Sequence, residues 1–190
     1  MLNNWQEKFP HCEPVSHLLR TAFRDRWVRF HSLPESKRWP ENEDEYEILL
    51  HRHNTILSEL LGTERSVVLL TTGYSKTPQP IRMYPELDAI DPNATPWRTV
   101  ALHALERDFS NPNYWHVFAS EWEWRAELFN LLIRLVADDA VANVMIVHPG
   151  CRWLLHPYDG GMDVIAESPT VREQLRAAHT DWLSSRADGL

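Results

Sequence analysis

Two carboxylates and a histidine lie close together in one short segment near the C-terminus. The run Tyr158-Asp159-Gly160-Gly161-Met162-Asp163 follows His156 after one proline. Carboxylate and imidazole groups are common ligands of hydrolytic metal ions, and they are also common general acids and bases. The segment could therefore serve a small metal-dependent hydrolase with Asp159, Asp163 and His156 as its catalytic residues.

The same segment also has a purely structural interpretation. Asp159 and the glycines form a turn, and Asp163 faces solvent from the next strand. Two carboxylates are fewer than a calcium loop requires. The histidines offer no H-E-x-x-H motif, and His51 and His53 point to different faces of a helix. His53 continues an apolar stripe, which indicates a core histidine. We predict no metal site and no cofactor.

The two cysteines give no independent catalytic signal. Cys12 and Cys151 lie far apart and outside any C-x-x-C pattern, so neither a zinc ribbon nor a disulfide scaffold is expected. Cys151 follows Pro149-Gly150 and has His148 close by in sequence, which would suit a nucleophile. A small buried hydrophobic residue at a strand edge is the simpler interpretation.

A group of basic residues could hold a phosphate or carboxylate through bidentate bonds. Its members are Arg24, Arg26, Arg29, Lys37 and Arg38. No glycine-rich phosphate loop with a lysine accompanies them, which argues against nucleotide binding. Ion pairing with the acidic run from Glu41 to Glu47 is the simpler account.

Aromatic residues supply the binding hypothesis. Tryptophan, tyrosine and arginine often anchor protein interfaces, because they bury large areas and keep a polar group available. The candidate binding residues are Trp115, Trp122, Trp124, Tyr158 and Arg38. Core packing is the alternative for most of these rings, since a chain with nine tryptophans must bury several. Trp39, inside a polar loop, is expected to be an anchor.

Net charge restricts the classes of partner. The chain of 190 residues carries 27 acidic and 19 basic side chains, a net charge of −8. Such a field opposes a nucleic-acid backbone and suits a basic protein partner. No run is apolar enough to span a bilayer, and no basic, then apolar leader opens the chain. We expect one soluble, cytoplasmic domain over residues 1–190, with no nucleic-acid or membrane partner.

Hydrophobic periodicity predicts the elements that must position these residues. Helices are expected over residues 13–24, 42–61 and 123–136, and from Ser168, with Pro169 at the first position. Strands are expected over residues 26–33, 66–72, 97–104 and 114–119, with a surface excursion over 77–96 and a turn-rich connector over 108–113.

The segment 144–166 predicts a three-stranded meander. Three apolar runs are separated by Pro149-Gly150 and by Asp159-Gly160-Gly161, which we expect to supply the positive φ of tight hairpin turns. Most strand connections are too short for parallel crossovers. The sequence therefore predicts an α+β fold, with a mainly antiparallel or mixed sheet packed against three to four helices.

Two segments resemble a family of uncharacterised bacterial single-domain proteins. They are His31-Ser-Leu-Pro-Glu-Ser-Lys-Arg-Trp-Pro40, continuing into Arg52-His53-Asn54, and Trp153-Leu-Leu-His-Pro-Tyr-Asp-Gly-Gly-Met-Asp-Val-Ile-Ala166. The resemblance covers about a third of the chain. It implies a fold and a cytoplasmic setting, and it brings no catalytic role.

Two functions are consistent with these patterns. The first is a non-enzymatic protein-binding module, of the accessory or immunity type, which fits an acidic chain with many aromatic residues and no established catalytic motif. The second is the metal-dependent hydrolase, with Arg82 or Arg152 orienting an anionic substrate. The second requires at least three of the named side chains to converge in one cleft.

Overall fold

A computed structural model describes residues 2–105, 112–186 and 189. The strands are β1 (Trp27–His31), β2 (Ser66–Ser75), β3 (Thr95–Ala101), β4 (Tyr114–Glu123), β5 (Met145–Val147), β6 (Leu154–Tyr158) and β7 (Gly161–Ile165). The helices are α1 (Trp5–Lys8), α2 (Ser16–Ala22), α3 (Glu43–Leu61), α4 (Pro85–Ile90), α5 (Leu102–Leu105), α6 (Asn130–Ala137) and α7 (Pro169–Ala178). Short 3-10 turns cover Pro34–Ser36 and Thr180–Trp182.

The strands form one antiparallel sheet in the order β1-β7-β6-β5-β2-β4-β3. Every pairing among the described strands is antiparallel. The predicted C-terminal meander is present as β5-β6-β7, and the α+β prediction is confirmed. Because β1 pairs with β7, residues from the start of the chain lie beside the β6–β7 hairpin.

Strand alternation gives the sheet two buried faces. Along β7, Met162 and Val164 pack with α3, α6 and α7, whereas Ile165 packs with α1 and α2 on the opposite face. Strands β5, β6 and β7 are apolar at almost every position, so both faces of the sheet are covered there. A charged residue on these central strands therefore needs a partner.

The predicted helix over 42–61 is confirmed, with its ends set by local chemistry. The Asn42 side chain accepts a hydrogen bond from the backbone N–H of Glu45 at 3.1 Å, and three acidic residues occupy the first turn. Gly62 ends the helix with a φ of 58°. The last helix likewise begins as predicted, with Ser168 as N-cap and Pro169 at the first position.

Several predicted boundaries were wrong. The helix expected from residue 123 begins at Asn130, because β4 continues to Glu123 in register with β2. The strand expected over 97–104 spans Thr95–Ala101, and helix α5 follows it. The excursion over 77–96 contains α4, and α1 was not predicted. Residues 108–111 of the predicted connector lie outside the described residues.

The expected source of turn geometry was also wrong. Gly150, Gly160 and Gly161 do not have positive φ, and the positive φ of the first turn belongs to Cys151, at 55°. Gly161 is required for a different reason: a Cβ there would lie 2.2 Å from the carbonyl oxygen of Phe30. The glycine thus allows β1 to approach β7 closely.

No helix within the described part of the chain combines the length and apolar character needed to cross a membrane.

Candidate functional site

The β6–β7 turn meets the loop after β1 and gathers four side chains. Arg38 Nε donates to Asp159 Oδ2 at 2.6 Å, and the Arg38 guanidinium lies 5.0 Å from the centre of the Trp39 ring. A Cβ at Gly160 would lie 3.2 Å from the Tyr158 ring and 3.4 Å from Arg38 Cγ. Glycine therefore lets the arginine stem pack against the hairpin. We call Arg38, Trp39, Tyr158 and Asp159 the Trp39 patch.

Backbone contacts hold the two segments of the Trp39 patch together. The N–H of Ser32 donates to the carbonyl of Gly160 at 3.1 Å, which ties the end of β1 to the hairpin turn. The 3-10 turn over Pro34–Ser36 then reverses the chain, and the N–H of Lys37 donates to the carbonyl of Pro34. The following residues are thereby presented beside Asp159.

Trp39 is the most exposed tryptophan of the described chain. Its exposed fraction is 54%, whereas Tyr158 is half-buried and Asp159 is shielded by Arg38. Burial raises the pKa of the Tyr158 hydroxyl to about 12, so this group remains a hydrogen-bond donor at neutral pH. The patch thus offers an exposed ring, a cation held in place and a phenol at one position.

A cavity with a volume of about 190 Å³ opens beside the patch. Its polar lining includes Arg38, Tyr158 and Asp159, together with Asp139, Asn143 and His156. Two carboxylates in this lining belong to different segments, the β6–β7 turn and the α6–β5 connection. The cavity adjoins the patch, so a side chain of a bound partner could enter it.

Acidic residues predominate in the chain segment that contains Trp39. Residues 35–47 carry six acidic and two basic side chains. Both cations are already paired, because Lys37 Nζ lies 2.6 Å from Glu45 Oε1 and 3.2 Å from Glu41 Oε2. The hydrogen bond from Lys37 lowers the pKa of Glu45, which keeps that carboxyl ionised at neutral pH. The segment that contains Trp39 therefore carries a net negative charge.

Asp163 lies in a second, buried cluster. Its carboxylate accepts hydrogen bonds from Arg29 Nε and a second Arg29 nitrogen, both at 2.8 Å, and from Trp27 Nε1 at 2.9 Å. Arg20 lies 3.9 Å from the same group. The expectation that Asp163 faces solvent is wrong, because the residue is only 7% exposed. Its carboxylate is held by two arginines instead of being available to a metal.

His156 lies opposite Asp163 in the β6–β7 register. The residue is buried, and neither ring nitrogen has a hydrogen-bond partner among the described residues. Burial lowers the pKa of His156 to about 4, although the charge of Asp163 acts in the opposite direction. The imidazole is therefore neutral near pH 7. His156 and Asp159 line the same cavity but Asp163 does not, and both carboxylates are engaged, Asp159 by Arg38 and Asp163 by Arg29.

The surroundings of His53 and Cys151 also indicate structural roles. Within the described ranges, no group of three or more His, Cys, Asp or Glu residues is placed to hold a metal ion. His53 is a core histidine, as predicted: Nδ1 lies 2.9 Å from the carbonyl of Leu49, and burial lowers its pKa to about 4. Burial raises the pKa of the Cys151 thiol to about 11, which disfavours the thiolate.

The three tryptophans predicted as binding residues do not share a surface. Trp124 is 8% exposed and packs 6.1 Å from Phe129, between ring centres. Trp122 packs on the same core, and its Nε1 donates to Ser120 Oγ at 2.7 Å. Trp115 packs against the opposite face of the sheet. The structure brings together Arg38 and Tyr158 only, and it adds Trp39 to them.

The basic residues mostly find partners other than the predicted ones. Of the five predicted residues, only Lys37 pairs with the Glu41–Glu47 run in the described part of the chain, so the ion-pairing account is wrong for Arg24, Arg26, Arg29 and Arg38. Arg26 stacks its guanidinium 4.6 Å from the Phe23 ring centre, and Arg29 pairs with Asp163. Arg24 lies with other arginines at the β1 edge of the sheet.

The fold thus defines this protein as an α+β domain with one antiparallel sheet. Two polar clusters lie on its β6–β7 hairpin. Residues 15–187 match the family described as a domain of unknown function, DUF3885. The match covers most of the chain, and the protein belongs to this family. No curated protein and no solved structure matches the chain.

Proposed function

We propose that this protein works as a cytoplasmic, non-enzymatic binding module for another protein, and that the Trp39 patch is its contact surface. The observation that supports this proposal is the exposed Trp39 ring beside Arg38 and Tyr158. Tryptophan, arginine and tyrosine are the residues that most often dominate binding energy in protein interfaces. Here Arg38 lies against the Trp39 ring and lines one cavity with Tyr158, although the residues come from two segments distant in sequence.

The charge around the patch defines the chemistry of the partner. The exposed Glu35, Glu41 and Asp44 lie within five residues of Trp39 in sequence, and Asp139 lies in the adjoining cavity. Glu43 pairs with Arg134 on α6. A segment rich in lysine or arginine would complement this surface and would be steered toward it at low ionic strength. We therefore propose a basic protein segment as the partner. A bacterial accessory or immunity-type role fits such a partner.

The arrangement of the patch also suits binding better than catalysis. Arg38 is held by Asp159, so its position is set before a partner arrives, which lowers the entropic cost of association. The carboxylates required by the hydrolase hypothesis are engaged by Arg38 and Arg29. No specific observation favours that second function.

Photo-crosslinking tests the location of the contact surface. A photo-reactive residue is placed at position 39 and, in a matched control, at Leu131, which is 61% exposed on α6. We expect a protein crosslinked from position 39 and absent from position 131. Equal crosslinking from both positions would contradict a contact surface at the Trp39 patch.

Calorimetry with the purified partner then tests the chemistry. We expect Trp39→Ala to weaken binding at least about tenfold and Leu131→Ala to change it less than about twofold. Binding should also weaken as salt rises, because the partner is basic. Salt-independent binding, or full affinity in Trp39→Ala, would refute the proposal.

A further inference from the structure

A second cavity lies beside β1, away from the β6–β7 turn. Arginines line it. Its volume is about 230 Å³, and it lies between β1, helix α7 and the segment after the final 3-10 turn. Five of the nineteen basic residues of the chain line it. They are Arg24, Arg29, Arg172, Arg176 and Arg186.

Three elements bring these arginines together. Arg24 precedes β1 and Arg29 lies within it, while Arg172 and Arg176 are four residues apart and so share one face of α7. The Nε of Arg172 donates to the carbonyl of Trp27 at 3.0 Å, which fixes α7 against the β1 edge. The cavity is thus built by a specific contact between distant segments.

The charged residues that line this cavity, among those described, are all arginines. None of the described residues that line it is acidic. Asp163 pairs with Arg29 from outside, and Glu173 pairs with both Arg172 and Arg176. Arg24 is exposed and forms no ion pair among the described residues. With Arg186 left aside, two described carboxylates, Asp163 and Glu173, face four arginines of this lining, which is an excess of positive charge in a protein of net charge −8.

We propose that this arginine cavity binds a phosphate-bearing small anion. Guanidinium groups present forked donors that match phosphate oxygens, and arginine is preferred where an anion is held by several bidentate bonds. Several guanidiniums around one space repel one another, and a dianion relieves that repulsion better than a monocarboxylate does. The volume exceeds the roughly 30 Å³ of one water molecule several-fold, so it accommodates a phosphoryl group with part of an attached group.

Isothermal titration at constant ionic strength tests this proposal. The probes are inorganic phosphate, pyrophosphate and glycerol 3-phosphate, with acetate as the carboxylate probe. We expect saturable binding of one phosphate probe per protein and much weaker acetate binding. Tightest binding by glycerol 3-phosphate would identify an organic phosphate, and tightest binding by either inorganic probe would identify the free anion. Equal binding of acetate, or no saturation by any phosphate, would overturn the proposal.

Substitutions locate the site. Arg24→Gln and Arg176→Gln should each weaken binding about tenfold, since each removes one charge-assisted contact. Arg125→Gln is the matched control, because Arg125 is exposed and does not line this cavity. The affinity of Arg125→Gln for the phosphate probe should stay within about twofold of that of the wild type. Arg24 has no side-chain hydrogen bond or ion pair with the described residues, so Arg24→Gln keeps the test valid if Arg176→Gln fails to fold. Unchanged affinity in Arg24→Gln would overturn the proposal.

Discussion

The Trp39 patch and the arginine cavity both take arginines from the segment that surrounds β1, yet they differ in charge. Arg38 is paired with a carboxylate, and the chain segment that contains it carries a net negative charge. Arg24 and Arg176 lie among further arginines in a lining that has no acidic residue among those described. The comparison indicates that the neighbouring charges, rather than the residue type, set the local charge around an arginine.

The two aspartates of the hairpin show the same dependence on surroundings. Asp159 pairs with an arginine whose side chain is 59% exposed, whereas Asp163 and its partner Arg29 are 10% and 14% exposed. Ion pairs in solvent contribute little to stability, but breaking a buried pair leaves an uncompensated charge. The two carboxylates therefore contribute unequally to the free energy of unfolding, although they are only four residues apart.

The largest effect is expected from removing the buried carboxylate. Asp163→Asn should lower the free energy of unfolding by about 3 kcal/mol or more, because Arg29 then lacks its counter-charge. Urea denaturation measures this change. Asp159→Asn is the matched control and should cost less than about 1 kcal/mol. Equal losses in the two variants would show that burial does not separate the two aspartates.

The free energy of unfolding at acid pH should report on the buried imidazole of His156. The pKa of His156 is about 4 in the folded chain and about 6.5 when unfolded, so the unfolded state binds the proton first. Stability should therefore fall as pH drops from 6.5 to 4, by up to about 3 kcal/mol. In His156→Gln the fall should be smaller by this amount, as read from urea denaturation across pH. Parallel curves for the two proteins would contradict a buried neutral imidazole.

Anion binding should stabilise the fold through one region only. Pyrophosphate at 100 times its dissociation constant should raise the free energy of unfolding by about 2.7 kcal/mol. We expect the same increase in Trp39→Ala and about 1.4 kcal/mol in Arg24→Gln at the same concentration, because its binding is about tenfold weaker, as measured by thermal or urea unfolding. A loss of the effect in Trp39→Ala would show that the two regions are coupled.

The smallest effect is expected at the exposed ring itself. Trp39→Ala should change the free energy of unfolding by about 0.5 kcal/mol or less, because surface substitutions away from buried contacts are nearly neutral. Chemical denaturation measures it, and Trp124→Ala serves as the buried comparison, with a cost of about 3 kcal/mol or more. A loss above 2 kcal/mol in Trp39→Ala would assign that ring a structural role.

Periodic patterns predicted the elements best where one local signal sets the boundary. The start of α3 at Asn42 and its end at Gly62 follow from capping chemistry, and Ser168-Pro169 likewise marks the start of α7. The start of α6 was misplaced because β4 is extended to Glu123 by pairing with β2. That pairing joins residues more than fifty positions apart, and no local pattern reports it.

The candidate sites were predicted only in part. Arg38 and Tyr158 were selected by residue type, and their proximity to each other depends on Gly160 and on β1 lying beside β7. The sequence predicted part of the arginine cavity, because Arg24 and Arg29 belonged to a predicted anion-binding group. Its other arginines lie on α7, and only the packing of α7 against β1 places them there.

By itself, the sequence determined the α+β class, the antiparallel meander, the capped helices and the acidic charge, because these depend on composition and on neighbours along the chain. Tertiary structure alone decided which arginine meets which carboxylate, and so which aspartate is buried and which cavity stays positive. The reason is physical: electrostatic interactions depend on distance and burial in space, and neither can be read from separation along the chain.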